Sequence, residues 1–125
     1  KDGNKTLNIV NDKDGTPTYT HDFALTVKEL IKNEYWGLYN CVCGGQTGRL
    51  EVANELINIL GLSNTVKINE VSSDFFKDIY YAERPASERL QTKKLDLRGV
   101  NKMRDWKIAL KEYIDNYYSD YLKNI

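Results

Sequence analysis

Three short stretches of this chain carry residue types that could do chemistry. The first, "NDKDGTPTYTHDFA" at residues 11–24, sets two acids and a glycine before a Thr-Pro-Thr-Tyr run. An EF-hand loop takes oxygen ligands at positions 1, 3 and 5, glycine at 6 and a bidentate Glu at 12. With Gly15 at position 6, Asp12 and Asp14 take positions 3 and 5, but Val10 stands at 1 and His21 at 12. The acids therefore read as turn formers. Pro17 restricts Thr16 and sets how the chain enters the next element.

The second stretch is "CVCGGQTGRLE". A glycine-rich loop between a strand and a helix can aim backbone N–H groups and the helix dipole at a phosphate. Glu70, at the end of the following strand, lies about where a dinucleotide fold keeps its ribose-binding acid. The G-x-G-x-x-G fingerprint, however, would need glycine at 43, where Cys43 stands, and the phosphate loop G-K-S/T is replaced by Gly48-Arg49-Leu50. A structural helix start is the better reading, with a small nucleotide-binding domain as its competitor. Cys41 and Cys43, two apart, could not bridge without strain. With one His and no further Cys they make no zinc site, and read as small buried thiols in a reducing compartment.

The third stretch is "ERPASE". Arg84 stands beside a rigid proline, and guanidinium suits bidentate binding of phosphate or carboxylate. Glu83 and Glu88 flank it, so local ion pairs on a solvated loop are favoured by composition alone. No nucleophile–base pair assembles around His21, and no tyrosine heads a Tyr-x-x-x-Lys pair: Tyr19, Tyr35 and Tyr39 are followed at the fourth place by Phe23, Tyr39 and Cys43.

These stretches have to be positioned by a modest set of elements. Residues 7–10, "LNIV", read as a strand ending in a turn. Phe23, Val27, Leu30 and Ile31 fall on one helical face, predicting a helix from about residue 20 to 33, capped by Thr20 or Asp22. Residues 37–43 are rich in β-formers and read as a second strand, followed by a helix over about 47–60 with Gly61 at its end. Residues 65–71 read as a third strand, and 72–91 as irregular with a helical turn near Phe75, because Pro85 breaks any regular helix. A short helix closes at Gly99. A last one, from about Arg104, carries a stripe of Trp106, Leu110, Tyr113, Ile114, Tyr117 and Tyr121 expected in the core. The expected class is α/β, with about three short strands packed with three main helices.

At 125 residues the chain is sized for one domain with a single core. Eighteen basic residues balance eighteen acidic ones, giving no electrostatic case for nucleic acid or an anionic membrane. No apolar run is long enough to span a bilayer and the first residues do not form a signal peptide, so the expected location is cytoplasmic. There is no initiator Met, and the chain reads as a piece of a longer protein.

In order, "NIVNDKDGTPTYTHDFA", "WGLYNCVCGG", "RLEVANELINILGL", "ERPASERLQTKKL" and "MRDWKIALKEYI" resemble segments of the C-terminal part of the dTDP-4-dehydrorhamnose reductase family, within the extended short-chain dehydrogenase/reductases. The echoes are a Gly-x-Pro-Thr-Tyr loop with a following D-L/F-A, a G-x-Y-H/N strand, an E-x-A helix, an Arg-Pro segment running to Lys-Leu, and a closing W-x-x-A-L helix. Where the family often has aromatics at the start of the second helix, this chain has Thr47-Gly48-Arg49-Leu50-Glu51.

The resemblance implies a substrate-binding lobe spanning residues 1–125, with 1–15 at the junction to a missing N-terminal Rossmann domain. That domain would carry NAD(P)H and the proton donor; no cofactor or metal is expected in this chain. The implied partners are a nucleotide-sugar, a dTDP-linked 4-keto-6-deoxy sugar, and the Rossmann domain itself. By position, Thr16, Pro17, Thr18 and Tyr19 would line or shape the cleft, and Arg84, Pro85 and Ser87 would face the sugar-nucleotide. The fragment alone would not be catalytic. The alternatives are a non-catalytic regulatory module of the same fold and the substrate lobe of a related epimerase or dehydratase.

Overall fold

The computed structural model describes residues 5–79, 82 and 84–122, and side chains through residue 119. Glu83 of the expected ion pairs, the side chain of Tyr121 of the expected core stripe and residues 1–4 of the expected junction lie outside that description. The elements, in order, are β1 (Thr6–Val10), α1 (Thr20–Lys32), α2 (Arg49–Ile59), β2 (Lys67–Val71), a 3-10 turn (Ser73–Phe76), α3 (Lys93–Leu97) and α4 (Trp106–Leu122). They fall into two compact units: Lys1–Gly15 with Gln46–Glu88, and Thr16–Gly45 with Arg89–Ile125.

The first unit is a strand–helix–strand arrangement. β1 and β2 pair in parallel, Thr6 opposite Lys67 through Val10 opposite Val71, and α2 packs on β1. Among the described residues, Val10 and Ile57 are the buried apolar ones of this unit. α2 begins where the Glu51 carboxylate accepts the Gly48 N–H at 2.9 Å. Glycine has no side chain to answer, so only half of a capping box is formed. The helix ends as the glycine signal predicts. Gly61 takes a left-handed backbone (φ 67°), its N–H reaches the Asn58 carbonyl, and the Leu62 N–H reaches that of Ile57. The same closure, at Gly99, ends α3. Asp12 does more than turn the chain: its carboxylate accepts both the N–H (2.9 Å) and the hydroxyl (2.8 Å) of Ser73, tying the turn after β1 to the one after β2. Those two bonds hold the Asp12 carboxyl below its usual range.

The expected strand at 37–43 is absent, and the sheet has two strands among the described residues rather than three. The β-forming side chains are there, but the backbone finds no ladder. The Leu38 carbonyl is taken by Lys94 Nζ at 3.1 Å, and the Asn40 amide crosses to the Gln91 carbonyl at 3.2 Å. Just past its end, Gly44 forms an isolated bridge with Asp105. The α/β class stands.

The second unit is helical, with Cys43, Leu95, Val100, Trp106, Ala109 and Ile114 as its buried apolar residues. Two helix faces differ from expectation. In α1 the buried residues are Asp22 and Thr26, while Phe23 and Ile31 are exposed. Neither Thr20 nor Asp22 caps the helix; the N-cap is Tyr19, in extended backbone, and it makes no side-chain cap bond. In α4, Trp106 and Ile114 are buried as expected, but Tyr113, Tyr117 and Tyr118 are exposed. There they pack on one another, with ring centroids 5.4 and 5.5 Å from Tyr113, instead of filling the core. Asp105 caps α4 by accepting the Lys107 N–H at 2.9 Å.

Candidate functional site

In the second unit, the stretch Thr16–Tyr19 is held at both ends. The Thr16 hydroxyl donates to the Gly45 carbonyl at 3.1 Å, and the Tyr19 N–H donates to Cys43 Sγ at 3.4 Å. The segment those two bonds reach is itself pinned: the Gly44 N–H donates to the Arg104 carbonyl (2.9 Å), and the Trp106 N–H to the Gly44 carbonyl (3.1 Å). Gly45 has to be glycine here. Its φ is 89°, and an added Cβ would lie 2.7 Å from the Trp106 ring and 2.8 Å from the Asp105 carboxylate. Cys43 is buried, and burial pushes its thiol up, so it serves as a neutral acceptor and not as a thiolate.

The ring of bonds closes through an ion-pair network. Asp22, in the first turn of α1 and 1% exposed, receives Arg104 Nε at 3.0 Å, Nη2 at 2.7 Å and the Arg104 backbone N–H at 3.3 Å. Glu112 of α4 takes the other edge of the same guanidinium, at 2.5 and 3.0 Å. Burial alone would push the Asp22 carboxyl up, but the bonds and charge of Arg104 outweigh it and hold the group below its usual range. The same guanidinium lowers Glu112, and Arg104 is in turn held above its ordinary value, chiefly by Glu112. Thr26 completes the polar face of α1: its hydroxyl donates to the Asp22 carbonyl and accepts the Lys102 N–H. Tyr19 stands beside this network, its ring centroid 5.9 Å from the guanidinium carbon and edge-on to Tyr113 at 6.1 Å. Burial raises its phenol, against a hydrogen bond with Asn116.

In the first unit, Arg84, Pro85 and Ser87 lie on an exposed loop held by its backbone. The Asp14 N–H donates to the Ala86 carbonyl at 2.8 Å, and the Glu88 N–H donates to the Asp14 carbonyl at 2.9 Å. Lys13 Nζ secures the Arg84 carbonyl at 2.7 Å. Lys13 and Gly15, on either side of Asp14, are in turn tied by backbone bonds to Arg49 and Thr47. The Arg84 side chain is 64% exposed and meets Glu88 only at 4.0 Å. Its donors therefore stand largely in water, while its backbone is fixed.

The glycine run does not fit a dinucleotide phosphate. At the start of α2, Glu51 occupies the Gly48 N–H, the Lys13 carbonyl takes the Arg49 N–H, and that carbonyl lies 2.9 Å from where a Cβ on Gly48 would sit. The Gly45 space is filled by Trp106. The small nucleotide-binding reading is set aside on these contacts.

The family model for the RmlD substrate binding domain matches residues 1–119. The chain belongs to the RmlD substrate-binding domain family. A crystal structure of a dTDP-4-dehydrorhamnose reductase from Clostridium acetobutylicum superposes with a TM-score of 0.83 at 33% identity, over 90% of this chain and 39% of that one. The dTDP-4-dehydrorhamnose reductase of Bacillus anthracis, solved with NADP, shares the fold at a TM-score of 0.79 and 24% identity, over 90% of this chain and 38% of that one. The spore coat polysaccharide biosynthesis protein SpsK of Bacillus subtilis is 28% identical over 108 residues, 86% of this chain and 36% of SpsK. The chain spans well under half the length of each of these relatives.

Within this RmlD substrate-binding domain, the sequence points to Thr16–Tyr19 and to Arg84, Pro85 and Ser87 but not to the residues that hold the former. From sequence, Cys43 reads as a small buried thiol, and Asp22 as a helix cap within the D-L/F-A echo. Arg104 and Glu112 were not singled out, and Arg104 lies 82 positions from its partner Asp22.

Proposed function

We propose that this domain is the substrate-gripping lobe of a nucleotide-sugar reductase. The parent protein would reduce a 4-keto-6-deoxy sugar carried on dTDP, with NAD(P)H held on an N-terminal domain. The observation that carries the reading is the family match over residues 1–119, joined by a reductase neighbour at 33% identity. In this chain's own chemistry, Arg84 is the diphosphate contact. It is a guanidinium with exposed donors on a pinned backbone, weakly paired to Glu88. Thr16–Tyr19 form a wall for the sugar, and their rigidity spares the ordering cost of binding. No catalytic group is assigned to this chain; its part is to bind, orient and exclude water from the substrate.

The test is an assay of the full-length protein. With a dTDP-linked 4-keto-6-deoxy sugar and NADPH it should oxidise the cofactor, while residues 1–125 alone should show no turnover. Turnover by this chain alone would overturn the reading. A full-length protein that binds the nucleotide-sugar but never turns it over would point to the regulatory module instead. Reaction only with a substrate lacking the 4-keto group would point to an epimerase or dehydratase lobe.

A further inference from the structure

Resting on the reading of Thr16–Tyr19 as a substrate wall, we propose that Arg104 is a positioning residue for nucleotide-sugar binding. With Asp22 and Glu112 it locks the first turn of α1 and so fixes how Tyr19 is presented.

Three contacts lead from Arg104 to that wall. Its side chain and backbone N–H grip Asp22, three residues beyond Tyr19 in the same turn. Its carbonyl receives the Gly44 N–H, in the segment whose Cys43 and Gly45 accept bonds from Tyr19 and Thr16. Its guanidinium faces the Tyr19 ring from 5.9 Å, within reach of a cation–π contact.

Stability alone does not call for this arrangement. A buried ion pair is often matched or bettered by apolar residues of the same volume, whereas a bidentate guanidinium fixes an angle that apolar contact leaves free. Nor is Arg104 placed to bind a ligand, since Asp22 takes one edge of its guanidinium and Glu112 the other.

The experiment uses the full-length protein with Arg104→Lys and Glu112→Gln. Both should raise KM for the nucleotide-sugar about tenfold while kcat stays within about twofold, because the substrate wall is misplaced and the reacting groups are untouched. Lys111→Ala, on the same helix in an exposed ion pair with Asp115, should leave KM as it was. A fluorine-labelled tyrosine at position 19 should shift its resonance in Glu112→Gln and not in Lys111→Ala. Glu112 is about one-third exposed, so its variant carries the test if Arg104→Lys does not fold. Folded variants with unchanged KM and an unmoved Tyr19 resonance would overturn the assignment of Arg104. Should Tyr19→Ala also leave KM unchanged, the substrate wall itself fails. If Tyr19→Ala raises KM and Glu112→Gln does not, only the role of Arg104 falls.

Discussion

Two arginines in this chain are used in opposite ways. Arg104 of the second unit has its guanidinium taken on both edges, by a carboxylate 1% exposed and by Glu112. Arg84 of the first unit is held through its backbone, while its guanidinium stands 64% exposed and meets Glu88 only at 4.0 Å. A guanidinium enclosed by protein carboxylates serves geometry, and one left open on a fixed backbone is available to an anion. Composition does not separate the two cases, because acidic residues stand near each arginine. The separation lies in burial and in the number of bonds made.

The contrast can be broken most readily at Asp22. Asp22→Ala leaves Arg104 half-partnered in a part-buried site, and should destabilise the domain by about 3 kcal/mol in urea unfolding. A loss below about 1 kcal/mol would mean the network is ornamental. Gly45→Ala attacks the same frame from the backbone, forcing a Cβ to within 2.7 Å of Trp106 at a φ of 89°. It should cost about 2 kcal/mol, from overpacking together with left-handed strain.

Acid sharpens the comparison. The Asp22 and Glu112 carboxyls are both held below their usual range by Arg104. The stability they contribute is present above their unfolded pKa values and is lost as pH falls through the depressed folded ones. The gap in stability between the wild type and Arg104→Met should therefore be widest near neutrality and narrow as pH is lowered through the carboxylate range. A gap constant from pH 7 to about pH 2 would remove the electrostatic part of the account. Arg84→Ala should give the smallest effect on stability, within about 0.5 kcal/mol, because its ion pair is exposed and long.

The legibility of the fold follows the same division between local and distant causes. Helices α2 and α4 showed in apolar spacing, and Gly61 and Gly99 stopped their helices as glycine at that place should, because these signals act within a turn or two. The strand expected at 37–43 failed, since β-propensity cannot say whether a partner strand exists, and here the Leu38 carbonyl goes to Lys94 Nζ while the Asn40 side-chain amide donates to the Gln91 carbonyl. The buried face of α1 was misread for a related reason. Apolar spacing picked Phe23 and Ile31, whereas the buried positions are those with distant polar partners, Asp22 with Arg104 and Thr26 with the Lys102 N–H. The tyrosine stripe of α4 failed because Tyr tolerates a half-wet surface where rings pack on one another, as Tyr113 does on Tyr117 and Tyr118. At the candidate site, Thr16–Tyr19 and Arg84 came from resemblance in short motifs, while the frame behind Thr16–Tyr19 depends on pairings that no local pattern encodes.

The most direct measurement of the central claim is the KM of full-length Arg84→Ala for the dTDP-linked sugar, set beside its unfolding free energy. If Arg84 grips the diphosphate, a charge-assisted contact of about 1.5–3 kcal/mol is lost, and KM should rise roughly ten- to a hundredfold while stability is unchanged. An unchanged KM in the folded variant would contradict the account and return Arg84 to the role of a solvated loop residue beside Glu88.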